Sequence, residues 1–171
     1  VDFKTANALI TIDPINKSVN GEVIYTFEVL KPIDTIKIDA QNMTFYEVEL
    51  KDKRIPFSSN GKELLLIYPF QKGKNSVHFL YEAKPKQTMY FVGSEATDNL
   101  QIWTQGQGKY TSHWFPSFDD VNEKVIFNMN ISFDSKYQVI SNGILKSKKQ
   151  NKNNTHWNYQ MQNPMSSYLL M

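Results

Sequence analysis

From Lys124 to Phe133 apolar side chains return at every second position: Val125, Phe127, Met129, Ile131 and Phe133. That period puts them on one face of an extended strand. Lys124, Asn128, Asn130 and Ser132 take the other face, with Ile126 as the exception. A segment so patterned needs a sheet partner and an apolar layer beneath it, and the same demand recurs along the chain. Leu9, Ile10 and Ile12 suggest a first strand from Phe3 to Ile12, closed by Asp13-Pro14. Asn20-Gly21 reads as a tight hairpin turn, because both residues tolerate positive φ. After it, Val23, Tyr25, Phe27 and Val29 alternate, and further strands are expected around Ile36–Ile38, from Phe45 to Lys51 and from Glu63 to Phe70. Asn60-Gly61 and Lys72-Gly73-Lys74 read as the turns on either side of that last one. Val77, Phe79 and Tyr81 alternate next, with His78 on the opposite, wet face. The stretch from Ala83 to Asn99 is irregular around a short apolar patch at Met89 to Val92. Asn142-Gly143 marks a late turn, and Trp157, Tyr159 and Met161 share a face. Strands separated by Gly, Asn and Pro turns at about 8–12 residues mark a sandwich or barrel. Helical spacing is missing, so the expected fold is all-β, an antiparallel sandwich in a single domain spanning 1–171.

A chain of 171 residues buries roughly 70% of its extended-chain surface, enough for a core without metal or disulfide support. Its hydrophobic fraction of 40% and aromatic fraction of 13% place it among folded rather than disordered sequences. A formal net charge of +2 is too small to make nucleic acid or an anionic membrane the main partner. Cysteine is absent, which excludes disulfides and thiolate metal sites. No apolar run approaches the roughly 18 residues that span a bilayer. The opening VDFKTANALITID lacks a basic segment followed by an apolar one, so no signal peptide is expected. The sequons at Asn16, Asn42, Asn130 and Asn153 read as chance matches in an Asn-rich chain. The KSKKQNKNN segment reads as a solvated hairpin tip.

Few residues have the spacing that chemistry requires. His78, His113 and His156 are far apart, with no H-E-x-x-H helix to bring two imidazoles to one face, so no metal site is expected here. Asp119 and Asp120 are neighbours that point apart on extended backbone, which makes them a poor acid/base pair. Asp119 reads as a loop-fixing acceptor of backbone N–H groups. Ser112 and Ser117 lie near His113 in sequence, but no orienting acid or oxyanion hole accompanies them, so no catalytic residue is assigned. Trp103, Trp114 and Trp157 admit two readings, core packing or an exposed carbohydrate platform. Gln105 and Gln107, one residue apart in a Gly-flanked turn, would project together if the segment is extended. Each amide offers an acceptor and two donors, which suits a peptide backbone or an ammonium group.

Read together, W-T-Q-G-Q, then H-W-F-P-S-F-D-D, then Lys124 resembles the zinc aminopeptidases of the aminopeptidase N and leukotriene-epoxide hydrolase family. That family has T-Q-x-E or T-Q-x-Q, a short gap, F-P-C-F-D-E-P and a lysine a few residues on. The closing NPMSSYLLM is similar to its P-M-S-x-Y-L segment. The resemblance implies a saddle-like N-terminal β domain of a larger zinc peptidase, whose G-x-M-E-N and H-E-x-x-H segments are absent from these residues. It implies no cofactor in this chain, zinc in the larger protein, and a peptide substrate gripped together with a catalytic domain. Gln105 and Gln107 fall on the positions that line the substrate's N-terminal end. Gln107 stands where the aminopeptidase N branch has glutamate and matches the leukotriene-epoxide hydrolase branch. Ser117 for cysteine, Asp120 for glutamate and Val121 for proline depart from the pattern at positions of structural character. The alternative from a different class is a stand-alone carbohydrate-binding or adhesive sandwich that uses exposed tryptophans.

Overall fold

The computed structural model describes residues 1–97 and 99–171. Fourteen strands follow in chain order among them: β1 (Asp2–Asp13), β2 (Ser18–Val29), β3 (Ile33–Asp39), β4 (Thr44–Leu50), β5 (Lys53–Arg54), β6 (Phe57–Ser59) and β7 (Glu63–Phe70) come first. Next are β8 (Gly73–Ala83), β9 (Met89–Val92), β10 (Gln101–Thr104), β11 (Lys124–Asp134), β12 (Ile144–Asn151), β13 (Asn154–Gln160) and β14 (Met165–Ser166). Short 3-10 turns at Glu95–Thr97, Thr111–His113 and Ser167–Leu169 are the helical content of these residues. None of it is long and apolar enough to cross a membrane. The irregular segment expected from 83 to 99 contains β9, and its residue 98 lies outside the described residues.

The fold is all-β, as the alternation requires. A large sheet runs β12-β13-β11-β1-β2-β8-β4-β5, with β14 paired to β11. A three-stranded sheet, β3-β7-β6, and the β9–β10 hairpin complete the set. The inward positions of the large sheet are those that the period-2 pattern singles out. Val23, Tyr25, Phe27 and Val29 are buried on β2, Val77, Phe79 and Tyr81 on β8, and Val125, Phe127, Met129 and Ile131 on β11. They pack against Ile36, Ile38, Leu64 and Leu66 of the three-stranded sheet and against Trp114, Phe115 and Phe118. On β1 the buried positions change parity, from Phe3 to Ala6, Ala8 and Ile10. A register shift between Phe3 and Thr5 accounts for this, because one extra residue flips every side chain beyond it. A second shift, between Phe45 and Glu47, buries Phe45 and leaves Tyr46 exposed.

Three expectations need correction. The pairing is antiparallel except between β1 and β11, which run parallel; nothing local in either strand reveals the direction of a partner more than a hundred residues away. Asn20-Gly21 is not a turn but the interior of β2, and the chain reverses earlier, through residues 14–17, where Lys17 has φ 50°. Gly21 is there for space: a Cβ would lie 2.1 Å from Cε1 of Tyr81. The KSKKQNKNN segment is a hairpin tip only at its end, where residues 152–153 turn between β12 and β13. Its first six residues belong to β12, the exposed outer strand of the large sheet. Lysine there blunts an edge that could otherwise pair with another chain.

Candidate functional site

The bend between β10 and the 3-10 turn at Thr111–His113 is built around a glycine with no room for a side chain. At Gly106 a Cβ would stand 2.5 Å from Thr111 Oγ1 and 2.5 Å from the backbone oxygen of Tyr168. The chain can therefore press against the closing segment only where Cβ is missing. The Tyr110 N–H donates back to the Gly106 carbonyl at 3.3 Å. Gly108 and Lys109 take φ of 95° and 69°, which completes the reversal. On the strand side, the Gln105 N–H donates to the Thr88 carbonyl at 2.7 Å, and the buried Thr88 hydroxyl donates to the Tyr110 carbonyl at 2.9 Å.

Gln105 and Gln107 are both exposed on this bend, while Gly106 between them is buried. Gln107 opens the turn over 107–110 rather than continuing an extended strand, so the condition for simple alternation fails beyond Gly106. The segment that follows the bend, through Trp114 and Pro116, is held from below. The buried Tyr25 hydroxyl donates to the Pro116 carbonyl at 2.7 Å, and Tyr81 donates to the Trp114 carbonyl at 3.0 Å. Burial pushes both phenols well above the ordinary tyrosine range, so they remain neutral donors. The sequence gives a hint of this, since a tyrosine at an alternating core position needs a partner for its hydroxyl.

The closing segment braces the same loop. Thr111 Oγ donates to the Ser167 carbonyl at 2.9 Å, Ser166 Oγ to the Val121 carbonyl at 2.6 Å, and Ser167 Oγ to the Phe118 carbonyl. Beside it, Asp119 Oδ2 accepts from Ser112 Oγ at 3.0 Å, and the Asp119 N–H donates to Asp39 Oδ2 at 2.7 Å. Burial pushes the Asp119 carboxyl up to about 6, partly opposed by the bond from Ser112, while the nearby Asp39 carboxylate adds to the rise. Its Oδ1 is buried and has no hydrogen-bond partner among the described residues. Asp120 turns away and accepts from the Asn122 N–H at 2.9 Å, so the two neighbours divide as expected for extended backbone. Asp39, Thr88 and Ser112 carry no sequence signal as part of this network, because their roles arise from contacts across the fold.

The three histidines stay apart. His78 sits between Glu22 at 3.0 Å and Glu49 at 3.5 Å on the outer face, and His156 lies opposite Ser132 and Lys149. His113 is half-buried, its pKa lowered by burial, and accepts from the Gln87 amide at 2.8 Å through Nε2. No group of three or more metal-ligating side chains among the described residues could hold an ion. The donor set of these residues therefore does not fit a zinc site. Behind the hairpin lies a cleft of about 460 Å³ bordered by Ile10, Ile102, Trp103, Trp114, Met129 and Ile131. Its lining is chiefly apolar and, among the described residues, carries no carboxylate or imidazole side chain.

T-Q-G-Q and F-P-S-F-D, which carried the resemblance, lie in the segment that M-S-S-Y-L braces through Ser166 and Ser167. The Peptidase M1 N-terminal domain model matches residues 5–169. The chain belongs to this family. Probable aminopeptidase 1 of Sulfurisphaera tokodaii is 22% identical over 152 residues, covering 85% of this chain and 19% of that protein. The M1 zinc metallopeptidase of Deinococcus radiodurans superposes with a TM-score of 0.87 at 12% identity, over 99% of this chain and 40% of that one. Yeast LTA4 hydrolase in complex with bestatin gives 0.82 at 16% identity, over 99% and 28%. Legionella pneumophila aminopeptidase A in complex with aspartic acid gives 0.84 at 15%, over 99% and 20%. At these identities the structural likeness is one of fold. The chain spans about a fifth of the curated M1 relative and well under half of each of these solved structures.

Proposed function

We propose that this chain is the N-terminal, non-catalytic domain of a larger zinc aminopeptidase, with Gln105 and Gln107 receiving the amino end of a peptide substrate. The observation that carries the reading is the bend itself: two exposed amides on either side of a buried glycine, held by bonds from three directions. A free α-ammonium has three donors, and a fixed amide carbonyl is a suitable acceptor for one of them. Gln107 lacks the charge that would make such a bond charge-assisted. Acidic groups elsewhere in the larger protein then supply most of the electrostatic attraction. In this reading zinc and the catalytic base belong to that other part, and the described residues hold no group of three or more metal-ligating side chains. Among the M1 structures that share the fold, a D. radiodurans variant is described as bound to a Tyr-Ser-Ala substrate, in keeping with a peptide as the ligand.

The isolated chain is expected to show no aminopeptidase activity with added zinc. In the full-length protein, Gln107→Ala should lower kcat/KM for free-amine substrates by about 10-fold or more, the loss expected when a positioned hydrogen bond goes. Unchanged kinetics would remove Gln107 from the site. The carbohydrate reading keeps one supporting observation, the exposed Trp103. Trp114 and Trp157 are buried at 3% and 1%, so no row of indoles forms a platform.

A further inference from the structure

Trp103 is the one tryptophan that the core does not absorb. It is 46% exposed, although its neighbour Ile102 supplies the inward position of the same short strand. Its cross-strand partner is Tyr90, and the two rings stack at 4.4 Å between centroids and 30° between planes. The stack holds the indole in one orientation while nearly half of its surface faces solvent. Val92, paired with Gln101 at the next position on that face, is also exposed. An indole fixed in one orientation with this much open surface offers an apolar face that a ligand can cover at little cost in side-chain order.

Its position relative to the amides gives it a role. Positions 101, 103 and 105 share a face by strand alternation, and the bond from the Gln105 N–H to Thr88 extends the ladder one residue past β10. Trp103 therefore lies about 7 Å along the strand from Gln105, two strand residues away. That span suits a ligand whose ammonium meets the amides while its own side chain lies on the indole. Resting on the reading of Gln105 and Gln107 as contacts for a peptide's amino end, we propose that Trp103, held by Tyr90, is a specificity-determining residue. It takes the side chain of the first substrate residue when that side chain is aromatic or branched and apolar.

The test uses the full-length polypeptide that carries this domain and the p-nitroanilides of phenylalanine, leucine and alanine. Trp103→Ala should lower kcat/KM about 10-fold for phenylalanine and leucine, the scale of a lost apolar contact, and leave alanine within about two-fold. Trp103→Phe should restore most of the difference, and Gln107→Ala should depress all three substrates alike. Equal losses for alanine and phenylalanine, or no loss at all, would overturn the assignment of Trp103 while leaving Gln107 in place. Should Gln107→Ala also have no effect, the reading of the amides falls too. A melting temperature for the Trp103→Ala chain close to that of the parent separates loss of contact from loss of fold. Quenching of Trp103 fluorescence in the 171-residue chain by chitooligosaccharide, but not by a phenylalanyl peptide amide, would also overturn the proposal, in favour of a glycan site.

Discussion

At the scale of single residues, Asp119 shows how a loop can be both well held and sensitive to pH. One of its oxygens accepts from Ser112 and the other is buried with no hydrogen-bond partner among the described residues, with Asp39 close by. Burial chiefly raises its pKa, from 3.8 to about 6. A carboxyl raised above its unfolded value contributes stability that is complete below about pH 4 and is lost as pH rises through 6. Asp119→Asn keeps the shape and the acceptor for Ser112 but cannot ionise. The variant is therefore expected to gain in melting temperature relative to the parent at pH 7 and to show a flatter profile between pH 4 and 6. Thermal melts across that range check this, and parallel profiles for the two proteins would show that Asp119 does not titrate there. Tyr25 and Tyr81 illustrate the opposite case, buried groups whose neutrality is what the loop above them needs.

At the scale of elements, β12 is the clearest case of sequence composition serving structure. After Asp134 the chain has five lysines and no acidic residue, and Lys146, Lys148 and Lys149 all lie on this outer strand. A register shift between Leu145 and Ser147 bends the edge further from straight. Both features discourage a second chain from adding to the sheet. Replacing the three lysines with threonine should promote self-association, measured as concentration-dependent growth in mass by light scattering, with little change in the monomer's circular dichroism. A variant that stays monomeric at every concentration would assign those charges to something other than edge protection. The same strand explains why a sequence reading stumbled here, because an edge defended by charge has the composition of a loop. Asn20-Gly21 misleads for a related reason: glycine can serve a turn or a close approach, and only the position of Tyr81 says which. The inward residues of β2, β8 and β11 were legible because each strand's alternation is a local property. The T-Q-G-Q bend was legible as a candidate, but its braces at Thr88, Ser167 and Tyr168 were not, since each comes from another part of the chain.

At the scale of the whole molecule, the fold is organised across long sequence distances. β1 lies between β2, its neighbour in the chain, and β11, paired from Thr5 opposite Ile126 to Thr11 opposite Ser132. The strands after residue 123 also bring Val125, Phe127, Met129, Ile131 and Trp157 to the core, all buried. A chain ending at residue 123 should therefore lose cooperative unfolding and near-ultraviolet dichroism, although strands β1, β2, β8 and β4 remain intact in sequence. A sharp melt from that truncation would show that the β1–β11 pairing is dispensable. The direction of that pairing lay beyond the reach of any local pattern, and with it the order of the sheet.

The placement of β1 also sets a schedule for biosynthesis. Strand β1 is made well before its parallel mate β11, and it keeps one flank unpaired until that mate emerges more than a hundred residues later. Throughout that interval the nascent polypeptide displays an open sheet margin, a surface that a chaperone would have to shield until β11 arrives.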